Sequence, residues 1–346
     1  MSVKEYFPGA NTPDGFFSYY SDILKSSEAK NIVILKGGPG TGKSSIMKKT
    51  AAHAANKGYS VELLHCSSDP ASLDGVCIRE KGFLIVDGTS PHIIDPRYPG
   101  AVDEIINLGS FWRSDEIRPH KNEIQKLTAE ISQSFKRAYS FMSAAHSVMN
   151  QIKSDVKTDA GYVCPDAEEI LKELGISKTN RKGKVRRGFL SANTHLGKIS
   201  YAHSFVNDAR HVIYIAPDIG GEWSEYMRKF ADVLICSGLD IRIFYNSMNP
   251  DSEIEHIYAE DKSLFVTTEH PGKTCDRIID LNKSCRCLLY PEYESDKQAY
   301  NILMQKTTDA LKKAKALHDE LEKHYIPHMN FDMMDAELNL ILKKLD

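Results

Sequence analysis

Residues 37–44 read Gly-Gly-Pro-Gly-Thr-Gly-Lys-Ser, the pattern G-x-x-x-x-G-K-S, and no other stretch limits the fold so tightly. A backbone that turns successive N–H groups toward one anion needs glycine, and a helix starting directly behind it adds its positive end. The flanks supply both neighbours. Ile32-Val33-Ile34-Leu35 predicts a buried strand, and Ser44 to Lys57 predicts a helix. That helix carries Ile46, Met47, Thr50, Ala51 and Ala54 at helical spacing, and Gly58 stops it. The backbone of Gly38, Pro39, Gly40, Thr41, Gly42, Lys43, Ser44 and Ser45 is expected to cradle phosphates. Lys43 would reach the β- and γ-phosphates, and the Ser44 hydroxyl would ligate Mg²⁺.

A phosphate loop of this kind needs a second magnesium-positioning group. Gly82-Phe-Leu-Ile-Val-Asp87 supplies four apolar residues ending in a carboxylate, so Asp87 is the expected partner of Ser44. Gly88-Thr89 follows it, where many motor-type ATPases carry a water-polarising Glu. Val61 to His65 reads as a second strand, and CSSDPASLDG (66–75) as the loop behind it. Such loops hold substrates in parallel sheets, which makes Asp69, and less directly Asp74, candidates for a catalytic base. The alternative is that Asp69 merely turns the chain. His92 and Asp95 lie just beyond the Asp87 strand and could face the phosphates or sit in a surface loop.

Composition excludes several classes. The net charge of −3 gives no global attraction to nucleic acid or anionic membranes, and no run approaches 18 apolar residues. The first residues lack an apolar signal core, so a cytoplasmic protein is expected. Seven cysteines (66, 77, 164, 236, 275, 285 and 287) suit reduced thiols; Cys285 and Cys287 form the one close pair and make a poor zinc site.

Apolar residues then recur every three or four positions from Ile124 to Ile152, predicting a helix of roughly 30 residues that projects as an arm or lid. Asp166 to Glu169 reads as a helix start. KTNRKGKVRR (178–187) reads as a solvated basic linker, or else as a source of phosphate contacts from Arg186 or Arg187.

The second half repeats the first. FPGANTPDGFFSYYSDIL (7–24), read as a turn followed by helix, matches FLSANTHLGKISYAHSFV (189–206) at seven of 18 positions. Residues 31–91 match 211–271 without gaps at 13 of 61 positions, against about 6% expected by chance. Predicted strands coincide at 212–215, 240–245 and 263–267; IIDLN (278–282) echoes IINLG (105–109), and a long helix near 300–325 answers the first arm. The phosphate chemistry is gone from this copy. GGPGTGKS falls on PDIGGEWS (217–224), so Glu222 replaces Gly42 and Trp223 replaces Lys43, while Asn249 replaces Asp69 and Thr267 replaces Asp87.

The loop and the Asp87 strand resemble the P-loop NTPase superfamily over about a third of the chain. More narrowly, SSDPASLDG, DGTSPHIIDPRYPG and the tandem layout resemble a bacterial family of tandem P-loop ATPases of unknown role, nearly end to end. The resemblance implies two three-layer α/β/α units with mostly parallel sheets and long helical arms. The expected division is a nucleotide-binding domain (1–118), a helical arm and linker (119–185), a degenerate repeat (186–290) and a helical tail (291–346). The expected activity is a Mg²⁺-dependent ATPase with ATP, or less readily GTP, at one site, and Lys43, Asp87 and Asp69 as its catalytic residues. A small-molecule kinase and a non-catalytic nucleotide sensor stay open, as do homo-oligomerisation and an unidentified small-molecule or protein partner.

Overall fold

The computed structural model describes residues 3–25, 27–156, 165–179, 181–281 and 290–346. Cys164, Cys285 and Cys287 lie outside them; Cys66, Cys77, Cys236 and Cys275 are free thiols. The first half contains β1 (Val3–Tyr6), β2 (Gly9–Thr12), β3 (Gly15–Ser18), α1 (Tyr20–Ile23), β4 (Asn31–Lys36), α2 (Lys43–Asn56), β5 (Val61–His65), β6 (Leu73–Ile78), β7 (Phe83–Asp87), β8 (Asp103–Asn107), α3 (Ser114–Ile117) and α4 (Lys121–Asp155). The second contains α5 (Ala167–Glu173), β9 (Val185–Gly188), β10 (Ser191–Thr194), β11 (Gly197–Ser200), α6 (Ala202–Asp208), β12 (His211–Ala216), α7 (Glu222–Cys236), β13 (Ile241–Tyr245), β14 (Ile254–Ala259), β15 (Leu264–Thr267), β16 (Arg277–Asp280), α8 (Tyr293–Glu322) and α9 (Phe331–Lys343).

The two sheets have one topology. Strand order is β1-β5-β6-β7-β4-β8 in the first and β9-β13-β14-β15-β12-β16 in the second. Five strands of each run one way, and β6 or β14 is antiparallel to both its neighbours. The chain is therefore two tandem α/β units with mixed, mostly parallel sheets. The buried runs NIVILK and FLIVD are interior strands of the first sheet, as a strand covered on both faces requires.

The register corrects one expected equivalence. The loop between β13 and β14 (246–253) is one residue longer than that between β5 and β6 (66–72), so from β14 onward the halves correspond one position later. Ile34 pairs with Val86 as Tyr214 pairs with Thr267, which leaves Thr268, not Thr267, opposite Asp87. Left-handed Gly82 and Ser263 mark the same slip, at φ 62° and 46°.

Residues 7–24 differ from the expected turn and helix. They form the β2–β3 hairpin and then a single helical turn. The equivalent hairpin, β10–β11, meets it across a pseudo-twofold axis. Phe7 N–H donates to Phe189 O (2.8 Å), and Phe189 N–H donates to Phe7 O (3.0 Å). Phe7 packs on Tyr201 at 5.0 Å as Tyr19 packs on Phe189 at 5.1 Å, each tilted by 39°. The halves thus meet as two copies of one subunit would. Their inner sheet faces share a core that includes Ile34, Val86, Phe205, Phe244 and Phe265.

The basic stretch also departs from expectation, because residues 185–188 are not a solvated linker but edge strand β9 beside β13. Arg186 and Arg187 bond Glu28 (2.8 Å) and Asp22 (2.7 Å), so the first-half acids absorb their charge.

The outer faces are completed by exchange. After the first sheet, α4 runs about 50 Å along the molecule, and the following α5 buries Ala167, Ile170 and Leu171 against α7 of the second unit. After the second sheet, α8 returns beside α4, with Ala310 and Leu311 against Ala138, and Tyr293 against Ile152. Helix α9 then buries Met334, Leu338 and Ile341 against α2 and β4 of the first unit. The arm expected to project is half of an antiparallel pair that ties the units together.

Candidate functional site

The loop at 37–44 leaves β4 and enters α2 through glycines held at positive φ: Gly40 at 69° and Gly42 at 79°. Gly42 caps α2 with no side chain bonded to the helix's free N–H groups, so the end of a 14-residue helix is left to external acceptors. Lys43 folds back on its own loop, donating from Nζ to Gly37 O (2.6 Å) and Gly38 O (3.0 Å). Its Nζ lies 3.6 Å from Asp87 Oδ2. That approach follows from topology: β7 pairs directly with β4, placing Asp87 opposite Leu35 at the loop's root. Asp87 Oδ1 accepts from Thr89 N (2.9 Å) and Thr89 Oγ1 (2.6 Å), which fixes the carboxylate. Ser44 Oγ accepts from Leu73 N at 3.0 Å.

Behind Asp87 lies a buried polar group that sequence reasoning only partly located. Asp74 is on strand β6, not in the preceding loop. Its Oδ2 accepts from Tyr20 OH (3.0 Å) and lies 3.6 Å from His92 Nε2, while His92 Nδ1 is 3.2 Å from Asp87 O. Burial raises the Asp74 pKa; His92 opposes that and Asp87 adds to it. Asp95 is exposed and pairs with Lys36 (3.4 Å), whose Nζ also donates to Gly88 O (2.7 Å). Asp69 ties its own turn, accepting from Ala71 N (3.2 Å) and Ser72 Oγ (3.1 Å).

The unexpected feature is what covers the loop. Glu322, the last residue of α8, accepts from Gly40 N at 3.2 Å through Oε1. Its carboxylate takes the position at the loop that an anionic ligand would use. A Cβ on Gly40 would lie 2.7 Å from Ile326, and one on Gly42 would lie 2.5 Å from Met334 Sδ. Trp112 lies over Gly38, with its ring 5.1 Å from that of Tyr325. About two turns earlier on α8, Lys315 lies 3.6 Å from Asp69. None of these residues is within 60 positions of the loop in sequence, and no local pattern announces them.

The corresponding loop of the second half is filled from within. The buried faces keep step: Tyr226, Met227, Phe230, Ala231 and Leu234 of α7 stand where Ile46, Met47, Thr50, Ala51 and Ala54 stand in α2. Trp223 therefore does occupy the Lys43 position, buried in the core. The left-handed glycine comes one residue earlier, at Gly221, and the helix begins sooner. Asp218 places Oδ2 on Glu222 N (3.2 Å) and Oδ1 on Trp223 N (2.9 Å). The helix end already holds a carboxylate.

A family model described as Novel STAND NTPase 3 matches residues 17–89, the span from β3 through the Asp87 strand to Thr89. The first unit is thus similar to NTPases of the P-loop type. No curated protein and no solved structure matches the chain. Among the described residues no helix is long and apolar enough to cross a membrane.

Proposed function

We propose that the chain is a nucleotide-triphosphate-driven switch, an ATPase with one working site in residues 1–118. In this reading the arm is 119–185, the silent repeat 186–290 and the closing tail 291–346, and the protein works in the cytoplasm on a small-molecule or protein partner. The observation that carries it is the contrast at the two helix ends: Lys43 and an uncapped α2 in one half, Trp223 and an Asp218-filled α7 in the other. The backbone of 38–45 binds the phosphates, and Lys43 swings from the Gly37 and Gly38 carbonyls onto the β- and γ-phosphates. The Ser44 hydroxyl and the Asp87 carboxylate are hard oxygen donors on neighbouring elements, a set that fits Mg²⁺. Bound there, Mg²⁺ would neutralise phosphate charge.

Glu322 gives binding a mechanical consequence. A triphosphate and the Glu322 carboxylate compete for the Gly40 N–H, so occupancy releases the end of α8 and, through Ile326 and Met334, loosens α9 from the loop. Lys315, paired with Asp319 at 2.5 Å and lying 3.6 Å from Asp69, is a cation on α8 that could follow the new charge.

A kinase is the competing reading, favoured by Gly88-Thr89 after Asp87, where no second carboxylate stands to activate water. Its acceptor would sit near Asp69. Turnover assays with and without metabolite pools separate the two. Phosphate release without an acceptor supports the ATPase, acceptor-dependent ATP loss supports the kinase, and tight binding without turnover leaves a sensor.

A further inference from the structure

Beside the residues that cover the phosphate loop, three imidazoles gather where α4 begins and α8 ends. His120 caps α4, Glu123 sits in its first turn, and His324 follows α8 by two residues. His120 Nδ1 is 3.6 Å and His324 Nδ1 is 3.8 Å from the same atom, Glu123 Oε2. The two rings are 5.1 Å apart, and among the described residues neither makes a hydrogen bond within 3.5 Å. The ligand atoms of all three side chains fall within 4.8 Å of one another.

We propose that His120, Glu123 and His324 bind a first-row transition-metal ion, with Zn²⁺ the best match. Around a tetrahedral ion with bonds of about 2.0–2.1 Å, ligand atoms stand about 3.3 Å apart. The observed separations from Glu123 exceed that by only a few tenths of an ångström, within reach of small χ rotations. Two imidazoles with one carboxylate suit Zn²⁺ and its borderline neighbours; Mg²⁺ and Ca²⁺ prefer all-oxygen shells. His328 stands beside the group, its ring 6.1 Å from that of His120, and Glu116 Oε2 holds its Nδ1 at 2.8 Å. That pairing resembles the carboxylate support that orients metal-bound histidines, and it offers a fourth ligand. The rival cluster, His318, Asp319 and Glu322, comes from adjacent turns of one helix, and its Glu322 is already engaged by Gly40.

The site's position ties it to the cover of the loop. Its ligands come from α4 and from the segment immediately after Glu322, next to Tyr325 and Ile326 over the phosphate loop. A bound ion therefore fastens the cover of the loop to the arm.

Calorimetric titration of the full chain with Zn²⁺ alone, without nucleotide, tests this. One site is expected, weakened at least tenfold in His120→Gln and in His324→Gln, and unchanged in His318→Gln. Titration with Co²⁺ should give the visible bands of a four-coordinate ion with nitrogen ligands, lost in the double variant. These side chains are partly exposed, so circular dichroism should show unaltered folds. No bound metal, metal retained by the His120→Gln/His324→Gln protein, or metal lost in His318→Gln would each overturn the assignment.

Discussion

The two loops that leave β4 and β12 hold equivalent places in the two sheets and differ in where their carboxylate comes from. In the second half, Asp218 is four and five residues from the N–H groups it fills, so the carboxylate is fixed by the loop itself. In the first half, Glu322 arrives from 282 residues away, on the end of a helix whose other end rests on the other unit. In the proposed switch a ligand pushes Glu322 aside by moving a helix, whereas displacing Asp218 would mean refolding the loop. The difference teaches that two loops of one topology can share a carboxylate–N–H interaction and be told apart by its tether.

The largest expected effect on binding is at Lys43. Lys43→Ala should weaken ATP binding by at least about 100-fold, roughly 3 kcal/mol, with an unchanged melting profile; retained affinity would put the working site elsewhere. Calorimetry on the unaltered chain should find one ATP, and two equivalent sites would end the contrast between the loops.

Next is the seam between the units. Glu62 of β5 and Arg242 of β13 are equivalent residues that meet across the pseudo-twofold axis at 2.5 Å, with Arg79 Nε 2.9 Å from the same carboxylate. Glu62→Gln leaves two largely buried guanidiniums short of charge and should cost about 3–5 kcal/mol in denaturant unfolding. Burial works against the charged form of Glu62, but Arg242 and Arg79 hold its pKa far below the usual range. Its contribution is therefore present above the unfolded value of about 4.3 and is lost as pH falls below it. The variant should lose that acid-side dependence; an unaltered pH profile would mean the seam opens without unfolding.

Glu322→Ala should tighten ATP binding about five- to tenfold, since an open loop no longer competes with itself. Weaker binding in this variant would make Glu322 part of the nucleotide site and not a stopper. The smallest effect is at Asp218. Asp218→Ala should cost about 1 kcal/mol of stability, as loss of a helix cap does, without creating a second ATP site, because Trp223 still fills the lysine's place. A second site in that variant would show that the carboxylate alone silences the loop.

Local chemistry was legible wherever it is written locally. GGPGTGKS, the strand before it, the buried stripe of α2 and the Asp87 strand all follow from short-range pattern, and repetition supplied the second sheet. Residues 7–24 misled because aromatic residues suit a helix or a strand, and packing of Phe7 and Tyr19 against Tyr201 and Phe189 of the other half accompanies a hairpin. Asp74 read as loop because Asp is rare in strands; Tyr20 and His92 make it tolerable there. The Asp87 equivalent slipped because one inserted residue in a weakly similar loop leaves no trace in a gapless comparison. Lys315, Glu322, Ile326 and Met334 were illegible, since only the path of α8 brings them to the loop.

The exchange of outer helices has a consequence for how the chain is made. Residues 1–118 leave the ribosome carrying the phosphate loop, but the apolar face that α9 covers stays open until Met334, Leu338 and Ile341 follow. The half that emerges first is finished last, so in a growing chain the 37–44 loop and the apolar face beside it stay uncovered until α9 follows.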